Sequence, residues 1–196
     1  MRARLTIILA VGASWLVPFA RADDELESAR ATAEVSVPMT WITMAAALEK
    51  VALSSNSTIV EAVLAMKGGQ PYYFVSTVSN AGFRTFEINA QSSAFSVRDG
   101  KRESAGNPGE ADQLLGEFRM RAAATSSFEL YDAIKAAPFL AQGAKPFAAY
   151  FNLQGNELMV SVEVLHGAEL ERLDFNASTG AVVWADEGPG SPGAER

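Results

Sequence analysis

Apolar positions along the chain repeat first with a helical period and then with a strand-like period. In residues 40–53, Trp41, Met44, Leu48 and Val51 recur at spacings of three and four, so this segment predicts a helix. The chain beyond it is rich in β-branched and aromatic residues, or alternates apolar with polar ones as strands with one wet face do. These segments predict four antiparallel strands at residues 58–66, 71–78, 83–89 and 94–98.

The same order of elements returns in the second half. Ser126 and Glu129 have the spacing of a capping box, which predicts a helix over 127–136 that Pro138 ends. Four further strands are predicted at residues 145–153, 157–165, 169–175 and 182–184. Between the halves, a proline in the first-turn position predicts an additional helix over 110–122.

A shift of 87 residues lays one half of the chain on the other. Ile88-Asn89-Ala90 falls on Phe175-Asn176-Ala177, Trp41 falls on Phe128, and apolar positions meet apolar ones throughout. We therefore expect an α+β fold of two repeats, each a helix packed on an antiparallel β-meander, with an extra linker helix. Units of about 60 residues are marginally stable alone, so the two should pack together or share a sheet edge.

The first 22 residues have the three parts of an export signal. Arg2 and Arg4 precede an uncharged apolar run over 5–19, and Ala20-Arg21-Ala22 supplies the small residues that a signal peptidase reads. The run is shorter than the roughly 20 apolar residues of a spanning helix. We expect cleavage after Ala22 and a periplasmic or secreted protein with no stable membrane insertion. The chain has no cysteine, which fits a bacterial periplasm.

These patterns divide the chain into six predicted parts. They are a signal peptide at 1–22, an N-terminal segment at 23–39, a first repeat at 40–100, a linker with a helix at 101–126, a second repeat at 127–187 and a disordered tail at 188–196. Cleavage would remove three of 16 basic residues and none of 23 acidic ones, leaving 13 − 23 = −10. That negative charge disfavours nucleic acid and anionic membrane surfaces as partners.

The end of the second repeat carries a short motif. Leu173-Asp174-Phe175-Asn176-Ala177-Ser178-Thr179-Gly180-Ala181-Val182-Val183 places an acidic residue, a Thr-Gly turn and a short apolar strand in succession. In this it resembles the PepSY domain family, while Phe86–Phe95 of the first repeat keeps the outline without the Thr-Gly. The resemblance implies an exported protein that binds or restrains a partner, often a peptidase, and implies no catalytic residues.

Few residues offer catalytic or metal chemistry. His166 is the only histidine and lies in a predicted turn, so with no cysteine there is no set of ligands or bases for zinc, copper or Cys/His catalysis. No cofactor is expected. Five carboxylates crowd the second meander, and two readings are open for them: a solvated sheet face, which we expect, or a paired-carboxylate site. They are Glu157, Glu163, Glu169, Glu171 and Asp174.

Consecutive aromatic residues are the remaining candidates for a binding surface. Tyr72, Tyr73 and Phe74 put rings on both faces of one strand, and Tyr150 lies in a similar cluster. Either both faces are covered, or an aromatic groove is exposed for a partner; Tyr72, Tyr73 and Tyr150 are then the candidate contact residues. The first expectation is a non-enzymatic protein that binds or restrains an envelope protein such as a peptidase. The alternative is a carrier of a small apolar ligand between helix and sheet, with an enzyme using acidic residues third.

Overall fold

The computed structural model describes residues 29–80, 82–99 and 110–184. The expected signal peptide, its cleavage site, residues 101–109 and the expected tail lie outside the described residues. Four helices and eight strands occupy the described part. Their bounds are α1 at 29–36, α2 at Met44–Ser54, β1 at Thr58–Lys67, β2 at Gln70–Ser79, β3 at Gly82–Asn89, β4 at Phe95–Asp99, α3 at Glu110–Thr125, α4 at Leu130–Leu140, β5 at Lys145–Gln154, β6 at Glu157–His166, β7 at Glu169–Asn176 and β8 at Val182–Trp184.

All eight strands belong to one antiparallel sheet in the order β4-β3-β2-β1-β5-β6-β7-β8. Each half of the chain forms a four-stranded meander, and the two meanders join where β1 pairs with β5. At that junction Ala62 lies opposite Ala149, and Glu61 lies opposite Tyr150. The halves therefore share a sheet edge, and the fold is mixed helix and antiparallel sheet, as the sequence predicts.

Helices α2 and α4 contact each other and lie on one face of this sheet. The buried apolar residues of both halves form a single cluster that includes Leu48, Leu64, Ile134 and Phe175. On the opposite face, α1 reaches β6 through a contact of Arg30 with Glu163. Helix α3 lies against β1 and β5. The predicted helix over 110–122 is present and extends to Thr125.

Corresponding elements of the two halves are almost evenly spaced along the chain. β1 and β5 begin 87 residues apart, at Thr58 and Lys145, and the three later pairs of strands begin at the same separation. Each of the two leading strands carries one irregularity in register, next to residue 60 in β1 and next to residue 147 in β5. Helices α2 and α4 are instead 86 residues apart at both ends. That the halves are PepSY-like repeats with the predicted boundaries remains a prediction.

The turn after the third strand of each half is built in the same way. The Asn176 side chain accepts hydrogen bonds from the backbone of Ser178 and Thr179, and Gly180 follows with a positive φ of 71°. In the first half, the Asn89 side chain accepts from the backbone N–H groups of residues 91 and 92. Ser93 then takes the glycine's place with a φ of 58°. Ser93 of the first half thus adopts the left-handed conformation that Gly180 adopts in the second half.

The predicted start and end of the second-half helix are wrong. Helix α4 begins at Leu130, and Ser126 is no cap, because its hydroxyl donates to the carbonyl oxygens of Phe128 and Ala177. Helix α4 also continues past Pro138 to Leu140. A proline so close to the helix end removes one donor only, and the N–H of Gly143 closes the last turn on the Pro138 carbonyl at 2.7 Å.

Candidate binding groove

An apolar groove opens between the start of α2, the end of α4 and the start of β5. Its volume is about 490 Å³, which lies in the usual range of small-molecule sites, roughly 300–1,000 Å³. The buried residues Leu64, Tyr73 and Ile134 form its floor. Helix-facing side chains of both halves therefore meet in one concave site.

The rim of the groove carries two strongly exposed aromatic residues. Trp41 is 79% exposed and Phe139 is 86% exposed, and both line the groove. Lys135 and Lys145, which are also exposed, complete this part of the lining. Large apolar side chains that are both exposed and adjacent to a concave apolar site mark a surface suited to binding.

Tyr73 fixes the floor of the groove. Its hydroxyl donates to the carbonyl oxygen of Ile42 at 2.9 Å, and the residue is 2% exposed. Burial raises the pKa of Tyr73 to about 12, against a smaller opposing effect of the Thr40 hydroxyl. The phenol therefore stays neutral, and it donates its proton to a hydrogen bond within the protein.

Backbone hydrogen bonds hold Trp41 at the rim. The N–H groups of Trp41 and Ile42 both donate to the carbonyl oxygen of Ala90, at 2.8 and 3.1 Å. Thr43 then caps α2 by accepting from the N–H of Ala46. The indole is thus carried by an anchored segment, although the ring itself lies in solvent.

The equivalent place at the start of α4 is anchored in the same way but filled differently. The N–H groups of Ser127 and Phe128 both donate to the carbonyl oxygen of Ala177, at 3.0 and 2.9 Å. Phe128 corresponds to Ile42, and Tyr131 corresponds to Ala45, at the 86-residue separation of the helices. Both of these rings pack against the core. At the equivalent positions of the first half the smaller Ile42 and Ala45 also pack against the core, and both line the groove.

The opposite face of the sheet holds a buried ion pair. Glu163 is 1% exposed, and its carboxylate accepts from Arg30 at 2.6 and 3.3 Å and from the Tyr150 hydroxyl at 2.9 Å. Burial, and after it the negative charge of Glu163, raise the pKa of Tyr150. This cluster fixes α1 on the sheet.

A second buried cluster lies beside the first. The Ser161 hydroxyl donates to Asp174 at 2.5 Å, the Asn152 amide donates to Ser161 at 2.7 Å, and Arg172 lies 3.1 Å from the Asp174 carboxylate. The expectation that the five carboxylates share a solvated face is therefore wrong for Glu163 and Asp174. Arg30 of α1 contacts Glu163 on this face, and Asp174 has Ser161 and Arg172 as its polar partners.

The three predicted contact tyrosines do not form one surface. Tyr73 lies in the groove floor, whereas Tyr72 and Tyr150 are half-buried on the opposite face of the sheet. Tyr72 contacts the Phe74 ring at 6.4 Å, with the Lys67 ammonium 5.7 Å from its centre. Only Tyr73 thus takes part in the concave site.

Candidate catalytic and metal-binding groups are dispersed. Across residues 29–80, 82–99 and 110–184, no three His, Cys, Asp or Glu side chains are placed to hold a metal ion. His166 lies at the exposed end of β6, with its Nδ1 atom 3.2 Å from Glu171. Nor is any helix in these ranges long and apolar enough to cross a membrane.

Sequence reasoning missed the groove because it placed Trp41 within the buried helical stripe. The 87-residue shift that fits the strands lays Trp41 on the aromatic Phe128. The helices are separated by 86 residues, so Trp41 corresponds to Ser127, a surface residue. The loop between α2 and β1 has three residues and the one between α4 and β5 has four, which accounts for the difference. Aligning the helices separately would have revealed Trp41 as exposed.

Comparisons with known proteins leave the chain without an assigned family. No family model matches it, and no curated protein matches it either. A search of solved structures matches a crystal structure of a protein from Clostridium difficile 630, provisionally described as a lipoprotein. The match has a TM-score of 0.37 and 12% identity, and covers 74% of this chain and 91% of the other. At that TM-score the likeness supports no conclusion about fold or function.

Proposed function

We propose that the protein is an exported, non-catalytic binding protein whose ligand is apolar and is held in the groove between α2, α4 and the sheet. One observation carries the proposal: a site of about 490 Å³ with a buried floor and two exposed aromatic residues on its rim. Export rests on the signal-like segment at 1–22. The ligand would bury Trp41 and Phe139, which the protein alone leaves in water.

The chemistry of the groove supports binding rather than reaction. The Tyr73 hydroxyl donates to the Ile42 carbonyl, and the lining formed by the described residues includes no histidine, serine or carboxylate. Within that part of the chain, the charged residues of the lining are Lys135 and Lys145. Such a site has apolar area to exclude water and few groups that could act as an acid, base or nucleophile.

Capture of a protein partner, such as a peptidase, is the second candidate. The exposure of Trp41 and Phe139 favours it, because exposed aromatic residues next to a pocket are typical anchors of protein interfaces. The PepSY-like motif at 173–183 leads to the same expectation. In this case a partner side chain, rather than a free small molecule, would enter the groove.

The test uses a variant that fills the groove with a residue the other half already carries. Ala45→Tyr reproduces Tyr131 at the equivalent position of α4, and Ile42→Phe reproduces Phe128. Ala52→Tyr, on the exposed side of α2, is the matched control. Protein purified from its native host would be extracted and analysed for bound small molecules by mass spectrometry, with melting temperatures measured before and after extraction.

We expect an apolar compound to copurify with the native protein and with Ala52→Tyr, but with neither groove-filling variant. Its removal should lower the melting temperature of the native protein, since a ligand that binds only the folded state stabilises it. Equal recovery from all variants, or none from any, would contradict the small-ligand proposal. A protein retained by the native chain and lost from Ala45→Tyr would support the second candidate instead.

A further inference from the structure

We infer that the groove takes a single-chain amphipath with an anionic head group, of which a long-chain carboxylate is the simplest. This rests on the proposed function and names the class of its ligand. The apolar lining would hold the chain, and the lysines of the rim would hold the carboxylate. Such a ligand has its charge at one end only, and the charged residues in the described lining of the groove are both lysines.

The charge of the groove has the opposite sign to that of the whole protein. The chain carries a net charge of −7, yet Lys135 and Lys145 line the groove and no acidic residue among the described residues does. Both lysines are exposed, the Lys135 ammonium lies 5.0 Å from the centre of the Tyr131 ring, and the lysine stems add apolar area. In a chain with more acidic than basic residues, an opening with two cations and no carboxylate selects for a negative group.

The start of α2 contributes in the same direction. Met44 and Ala45, the first two residues of this 11-residue helix, line the groove. The N-terminus of a helix carries a partial positive charge and favours anions in its first turn. No acidic residue stands in the first turn of α2 to satisfy that preference. Helix and lysines together therefore place positive potential over an apolar site.

The floor of the groove determines which part of the ligand can bind there. Leu64 and Ile134 present hydrocarbon, and the side-chain polar atom of the third floor residue, the Tyr73 hydroxyl, is bonded within the protein. A polar ligand group placed there would lose its water without gaining a partner, which disfavours polar ligands. An alkyl chain loses nothing in the same place and gains from leaving water.

The experiment compares three probes that share one chain length: hexadecanoate, hexadecan-1-ol and hexadecyltrimethylammonium, each below its micellar concentration. Trp15 and Trp184 would be replaced by phenylalanine so that Trp41 is the sole fluorophore, and its emission would be followed during titration. Burial of Trp41 shifts its emission to shorter wavelength. Any signal that persists in Ala45→Tyr or Ile42→Phe is not binding in the groove and is subtracted.

We expect hexadecanoate to bind at least about fivefold more tightly than hexadecyltrimethylammonium, since two exposed charge pairs each contribute modestly. Lys135→Gln with Lys145→Gln should abolish that preference and leave hexadecan-1-ol unaffected. Arg121→Gln, which removes an exposed cation of α3, should leave the preference intact. Raised salt should weaken the binding of hexadecanoate alone.

Two results would overturn the inference. One leaves the proposed small-ligand function standing, and the other overturns that function as well. If all three probes bind equally, or the lysine variant keeps the preference, the anionic class is wrong while an apolar ligand remains supported. If no probe shifts the emission of Trp41, in a protein whose circular dichroism shows it folded, the inference fails together with the small-ligand function.

Discussion

Replacing Gly180 by alanine tests how the turn after β7 is fastened to the start of α4. Gly180 has a φ of 71°, and a Cβ atom added there would lie 2.8 Å from Cδ2 of Phe128. The Phe128 ring has little room to retreat, because it stacks on the buried Phe175 at a centroid distance of 5.5 Å. The Phe128 backbone is also held, by its bond to Ala177. The variant must therefore strain both the turn and the helix entry.

The chain offers a matched control. Gly155, in the hairpin between β5 and β6, has a similar φ of 62°, but an added Cβ atom would contact nothing within 4 Å. Gly155→Ala should cost about 1 kcal/mol, the penalty of a left-handed alanine. Gly180→Ala should cost about 2–4 kcal/mol, because displacing a packed ring adds about 1–3 kcal/mol.

The assay is urea unfolding followed by circular dichroism, with the free energy of unfolding extrapolated to water for both variants. Comparing two glycine-to-alanine changes removes most of the effect on the unfolded chain, which is the same for both. A Gly180→Ala protein that loses no more stability than Gly155→Ala would refute the contact with Phe128. It would also refute the conclusion that this turn positions the helix.

Three other substitutions test further parts of the fold. Glu163→Ala should lower the free energy of unfolding by about 2–3 kcal/mol, because it removes the carboxylate that the part-exposed Arg30 and the Tyr150 hydroxyl both contact. Chemical denaturation measures this, and a loss below about 1 kcal/mol would count against the ion pair. The pKa of Tyr73 rises from 10 in the unfolded chain to about 12 in the fold, so its neutral form stabilises the protein below pH 10 and that stability is lost as the pH rises from 10 through 12. Unfolding free energies at pH 9 and pH 11 should therefore differ less in Tyr73→Phe than in the native protein, and an equal difference would refute the assignment. Ser93→Gly should raise stability by about 0.5–1 kcal/mol by relieving a left-handed serine, measured by thermal unfolding and contradicted by any loss.

The strands were predictable to within about one residue because their residues either alternate or are rich in β-branched and aromatic types, and because several strands end at glycines that the turn conformation requires. Gly68, Gly155 and Gly180 all have positive φ, so the glycines that mark strand ends in the sequence are also the residues at which the chain turns. Helix ends were less predictable. The Ser126 hydroxyl bonds the distant carbonyl of Ala177 and accepts from the N–H of Phe128, which precedes α4, rather than from the first turn of the helix. The bond to Ala177 joins residues 51 positions apart, so the local sequence does not predict it.

The buried polar clusters were out of reach of sequence reasoning for a different reason. Arg30 and Glu163 are 133 positions apart, and they meet only because the leading helix of the chain crosses to a strand of the second meander. Alternation along β6 shows that Glu163 shares a face with Ser161, but not that the face is covered. A carboxylate on a solvated face and one in a buried ion pair give the same alternation along a strand. Only the position of the covering helix distinguishes them.

The difference between the two halves is the strongest argument that the groove serves a purpose. The segments that precede α2 and α4 are held by the same pair of backbone hydrogen bonds to an alanine carbonyl, so the residues that follow them occupy equivalent positions. At α4 these residues are Phe128 and Tyr131, which pack against the core. At α2 the equivalent residues are the smaller Ile42 and Ala45, which also pack against the core and line a groove beside an exposed Trp41. Apolar volume left unfilled costs stability, and natural proteins accept such costs where binding requires them. Because the second half accommodates larger side chains at the equivalent positions, the small side chains at 42 and 45 are a property of this sequence and not a requirement of the fold.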